Sequence, residues 1–104
     1  ELNELKVFPG IPRAWLHPGA LLELKNVASA FGNFSIKVTV SDEGDSFRVK
    51  YKAHSGNAAK KVVIRLPHPN GKRIVSTNKG EAKPATESVE IVGNEVDFVV
   101  WFRP

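Results

Sequence analysis

The chain reads as an all-β protein, a two-sheet antiparallel β-sandwich of immunoglobulin-like or jelly-roll type with seven to eight short strands. Three observations carry this. Apolar residues recur with a period of two almost everywhere after residue 20. Turn signals rich in Gly, Pro, Asn and Asp break that pattern at short, regular intervals. No stretch keeps helical spacing beyond about two turns.

Taken in order, "ELKVF" supplies a short first strand, and "ALLELKNVAS" places Leu22 and Leu24 on one side of a second. "NVASAFG" holds one short turn at most. In "NFSIKVTVSD" the apolar set Phe34, Ile36, Val38 and Val40 alternates with Ser35, Lys37, Thr39 and Ser41. In "SFRVKYKAHS", Phe47, Val49, Tyr51 and Ala53 face one way and Arg48, Lys50, Lys52 and His54 the other, as in strands buried on one face. "SDEGD" between them is a tight turn whose Gly44 accepts positive φ, so the pair is expected to form a hairpin. "KKVVIRLP" sends Val62, Ile64 and Leu66 inward and stops at Pro67, which has no ladder donor. Asn70-Gly71 signals a turn before Ile74 and Val75 resume a strand, and "TNKGEAKPAT" reads as loop. "ESVEIVGNEVDFVVWF" reads as a second hairpin: Val89 and Ile91, a turn near Gly93-Asn94, then Val96, Phe98, Val100 and Phe102 on one face.

The 104 residues suit one domain, 1–104, with a core that needs no covalent staple. Apolar residues at 41% and charged residues at 25% place the chain among ordinary globular proteins rather than disordered ones. There is no cysteine, which excludes disulfides, Cys-ligated zinc, iron–sulfur clusters and thiol catalysis. No apolar run approaches the ~18 residues of a membrane span, and no secretion signal is visible, so a membrane partner is not expected. The ends at Glu1 and Pro104 read as cuts in a longer chain. A net charge of +4 is mild.

No constellation for catalysis or cofactor binding converges in the sequence, and the chain is read as no enzyme by itself. His17, His54 and His68 lack metal-ligand spacing and read as solvent-exposed turn or strand histidines. Asp42, Glu43 and Asp45 crowd one turn without the ligand spacing of a calcium loop. Arg48, Lys50 and Lys52 form a basic stripe that Lys60, Lys61 and Arg65 extend if they lie on a neighbouring strand. Stacking aromatics do not interleave with it, and nucleic acid is not expected as a partner. For a polysaccharide, the contact candidates are Trp101, Trp15, Arg48, Lys50 and Lys52, whereas Tyr51 shares the inward face. Trp101 lies in the outward phase of the last strand with Asp97, Val99 and Arg103. A Val–Trp pair on a nominally wet face marks a ligand platform or a protein contact, and a lone aromatic favours contact.

The opening segment, 1–20, is rich in Pro and Gly. Its "VFPGIPRAWLHPG" uses Pro9, Pro12 and Pro18 to fix φ and Gly10 and Gly19 to permit turns. "FPGIPRAWL", then "NVASAFGNFSIKV", "VVIRLPHPNGKRIVSTNKG" and "VDFVVWF" resemble the C-terminal β-sandwich domain of large bacterial glycoside hydrolases. The similarity spans almost the whole chain. Its most specific pieces are Phe8 to Trp15 and Leu66 to Lys72. One departure is the separation of Asn78 from Gly80 by Lys79. The resemblance implies a non-catalytic accessory domain, periplasmic or extracellular, packed on an upstream catalytic domain of the same polypeptide. Phe8, Ile11, Trp15 and Trp101 are the candidate packing residues. Phe8, Ile11 and Trp15 are expected either to cap the open end of the sandwich or to sit at that junction, the competing expectation being that Trp15 is a core residue. A carbohydrate-binding module is the alternative function.

Overall fold

A computed structural model describes residues 4–54 and 61–103. In chain order the strands are β1 (Glu4–Val7), β2 (Leu21–Val27), β3 (Phe34–Val40), β4 (Ser46–Ala53), β5 (Lys61–Arg65), β6 (Arg73–Thr77), β7 (Glu81–Lys83), β8 (Ser88–Ile91) and β9 (Glu95–Arg103). Short 3-10 turns occupy Arg13–Leu16 and Pro84–Thr86. The strands form two sheets, β1-β5-β8-β7 and β2-β3-β4-β9-β6, packed as a sandwich.

The inward phase is the one the alternation predicts. Ile36 and Val38 on β3, Phe47 and Val49 on β4, Val62 and Ile64 on β5, Val89 and Ile91 on β8, and Phe98 and Val100 on β9 are all buried in one core. Tyr51 joins them, and its burial pushes the phenol above its ordinary pKa. The β3–β4 hairpin closes as expected, with Gly44 at φ 77° and its N–H donated to the Ser41 carbonyl.

Three expectations about connectivity are corrected. The described residues hold nine strands rather than seven or eight, because β7 lies in the stretch read as loop; three residues are too few to show alternation. The sandwich is not purely antiparallel, since β1 pairs β5 in parallel. β8 and β9 are not a hairpin. β8 pairs β5 and β7, whereas β9 pairs β4 and β6, so the chain at Gly93-Asn94 crosses between sheets. The Asn70-Gly71 turn is present where expected, and the segment that carries it also crosses between sheets, from β5 to β6. A turn residue fixes a reversal of direction, and sheet membership is decided by which neighbour each strand pairs with.

The crossing at 78–80 shows how such a corner is built. The Asn78 backbone N–H bonds the Val99 carbonyl, and its side-chain oxygen accepts the Val99 N–H, so this residue extends β6 pairing along β9. Two residues later Gly80, at φ 78°, lies so close to β8 that a Cβ there would sit 2.5 Å from the Glu90 carbonyl oxygen. Lys79 between them lets the chain step from one sheet to the other.

Candidate functional site

One end of the sandwich gathers the opening segment, the β3–β4 tip, the β5–β6 crossing and the lead into β8. β1 ends at Val7, and the next residue, Phe8, adopts φ 58°, a left-handed conformation costly for a bulky residue, of order 1–3 kcal/mol. It is held there by packing against the core and by the Ile11 N–H on its carbonyl. Pro12 then leads into the 3-10 turn, where Ile11 and Leu16 are buried and Trp15 points away, 57% exposed. The ring between them is not a core residue. The apolar anchor of this segment is Leu16, which the sequence pattern does not single out because a single 3-10 turn has no repeat to reveal its inward side.

Arg13 ties the turn to the body. Its guanidinium donates two parallel bonds to the Glu87 carboxylate, Nη1 to Oε2 at 2.6 Å and Nη2 to Oε1 at 2.8 Å, and Nη1 also donates to the His68 carbonyl at 2.7 Å. Arg65 adds a contact to Glu87 at 3.3 Å. The Arg13 hydrogen bonds hold the Glu87 carboxyl below the usual carboxylate range. Glu87 itself sits at φ 54°, just past the second 3-10 turn, and its carbonyl accepts the Leu66 N–H.

His68 is not a solvent-exposed turn histidine. It is 2% exposed, stacked on Phe47 at 6.1 Å between centroids and tilted against Phe102 at 5.1 Å. Its Nε2–H donates to the Gly44 carbonyl at 2.6 Å, and Nδ1 accepts the Asn70 N–H at 3.0 Å. A carbonyl only accepts and an amide N–H only donates, so these bonds fix the tautomer. Strand residues Phe47 and Phe102, together with the β3–β4 tip, bury it, and no local pattern announces this. His17 and His54 are exposed as expected, the first donating to the Pro18 carbonyl and the second bonded to Ser35. Among the described residues no three His, Asp or Glu side chains gather in metal-binding geometry.

The outer face of the five-stranded sheet is the second candidate. Arg48, Lys50 and Lys52 point outward, but acids interleave with them. Lys50 stands opposite Asp97, Lys52 opposite Glu95, and Arg48 pairs with Asp97 at 3.0 Å. Arg48 holds the Asp97 carboxyl below its ordinary range. The stripe is thus a mixed-charge face. Lys61 and Arg65 do not extend it, since β5 belongs to the other sheet, and Lys60 lies outside the described residues. Trp101, 41% exposed, lies on this face between Ser46 of β4 and Ser76 of β6. Depressions over both outer sheet faces are shallow and open; one of about 370 Å³ lies over Glu23, Lys37, Lys50 and Asp97.

No protein-family model, curated protein or solved structure matches the chain.

Proposed function

We propose that this chain is a non-catalytic accessory domain of a bacterial glycoside hydrolase, packing through Trp15 and the surrounding loops on an upstream catalytic domain of the same polypeptide. One observation carries the reading: an exposed indole stands on a mount fixed on every side. Ile11 and Leu16 are buried beside it, the guanidinium two residues before it is bonded to Glu87 and His68, and Pro12 and Pro18 limit the backbone. Such preorganisation lowers the entropy lost when a contact forms. Covering the exposed part of the ring contributes about 2–3 kcal/mol by area. A rigid aromatic at the end of the sandwich where the opening segment docks suits a joint that must hold one angle.

The test compares Trp15 in this chain alone and in the longer polypeptide that carries the upstream domain. Trp15 is expected to react with a tryptophan-selective oxidant in the free domain and to be protected in the linked protein, with mass spectrometry of the peptide around Trp15 as readout. Equal reactivity in both contradicts the proposal.

A further inference from the structure

Beside Trp101 the outer face of the five-stranded sheet holds an arrangement that packing alone does not call for. In the next row, Arg73 of β6 and Arg103 of β9 are direct cross-strand partners, and both are exposed. Like charges directly opposite each other destabilise a sheet. Among the described residues, the ion pairs engage Arg13, Arg48, Lys61, Arg65 and Lys83, and none reaches Arg73 or Arg103. The β3–β4 tip at this end carries Asp42, Glu43 and Asp45, yet the Asp45 carboxylate is occupied by the Ser41 hydroxyl of its own turn.

The row behind the arginines is shaped to leave the indole open. Ser46 and Ser76 flank Trp101 on either side, both small and hydroxylated. The register shifts between Ile74 and Ser76, so Val75 is an extra residue in β6 and stands exposed beside them. An accessible ring, two hydroxyls and two guanidiniums without an ion-pair partner among the described residues therefore share one corner of the sheet.

We infer that this β6–β9 corner binds an acidic sugar residue, its ring stacked on Trp101 and its carboxylate or sulfate held between Arg73 and Arg103. Guanidinium forks match such groups in bidentate fashion, and a bound anion relieves the repulsion between the two arginines. Ser46 and Ser76 are placed to meet ring hydroxyls. A single aromatic and a single positive row fit one anionic ring rather than a long polyanion, because Asp97 and Glu95 follow farther along β9 on the same face. This site is separate from the Trp15 mount and does not depend on the packing role proposed for it.

The experiment titrates the full chain with an oligogalacturonate, a sulfated oligosaccharide, a neutral oligosaccharide of matched length and a single-stranded oligonucleotide, following the Trp101 indole and Arg side-chain NMR signals. The expected result is saturable binding of at least one acidic sugar, ten times tighter than the neutral one. Trp101→Ala and the double change Arg73→Gln/Arg103→Gln are each expected to weaken it at least tenfold, with Arg73→Lys/Arg103→Lys intermediate. The two anionic sugars separate carboxylate from sulfate recognition. No saturable response to either overturns the proposal. So does binding that survives the arginine changes, or an oligonucleotide bound more tightly than both sugars. Unchanged dispersion of core methyl signals establishes that each variant is folded.

Discussion

Trp15 and Trp101 both leave much of their rings in solvent, but the chain holds them by different means. Trp101 sits inside a nine-residue strand paired on both sides, so its direction follows from the sheet and from the buried Val100 and Phe102 that bracket it. Trp15 sits on a four-residue 3-10 turn with no ladder, and its direction follows from a few discrete ties: Leu16, Ile11 and the Arg13–Glu87 pair. A strand position can be moved only by disturbing the whole sandwich, whereas a tethered turn can come loose locally. The two exposed aromatics should therefore respond differently to substitutions elsewhere.

The largest effect is expected at the corner that joins the sheets. Gly80→Ala combines a positive φ with a Cβ pressed on the β8 backbone, and should lower stability by about 3–4 kcal/mol. Both tryptophans should then become solvated in one transition during urea unfolding followed by fluorescence; two separate transitions would mean the sheets are not coupled at this corner. Leu16→Ala should cost about 3 kcal/mol. Amide exchange should accelerate first in residues 11–20, while β4 and β9 keep their protection relative to one another.

Smaller again is Glu87→Gln, which removes a part-exposed bidentate pair and should cost about 1 kcal/mol at neutral pH. Its pH dependence has a definite sign. The folded-state carboxyl titrates below its ordinary value, so its contribution is complete above the usual glutamate range and fades as pH falls through the lowered one. The difference in urea midpoint between the native chain and the variant should shrink on going to about pH 3. A difference that grows on acidification would contradict the role given to Arg13.

Much of the sandwich is legible in the sequence because burial on one face imposes a period of two, and β3, β4, β5, β8 and β9 all show it. Sheet membership is not legible. Asn70-Gly71 and Gly93-Asn94 carry the residues of reversals, yet each joins strands of different sheets. β7 is too short to have a period, and the parallel placement of β1 depends on β5, far along the chain. At the site, the sequence marks Trp15 and Trp101 as unusual through their phase and their company. It does not mark Leu16 as the anchor, Glu87 as the partner of Arg13, or His68 as buried. Those depend on loops meeting across 55 and 74 residues of sequence. The pairing of Arg73 with Arg103 depends on a bulge at Val75 that no local signal announces.

Thermal unfolding of this chain alone and of a polypeptide in which the proposed upstream domain precedes it, each with and without Trp15→Ala, decides whether Trp15 is an interdomain contact. If Trp15 is a contact with an upstream domain, the substitution leaves the free domain's midpoint nearly unchanged and lowers that of the linked domain by several degrees. An equal shift in both proteins would show that the indole serves only its own fold.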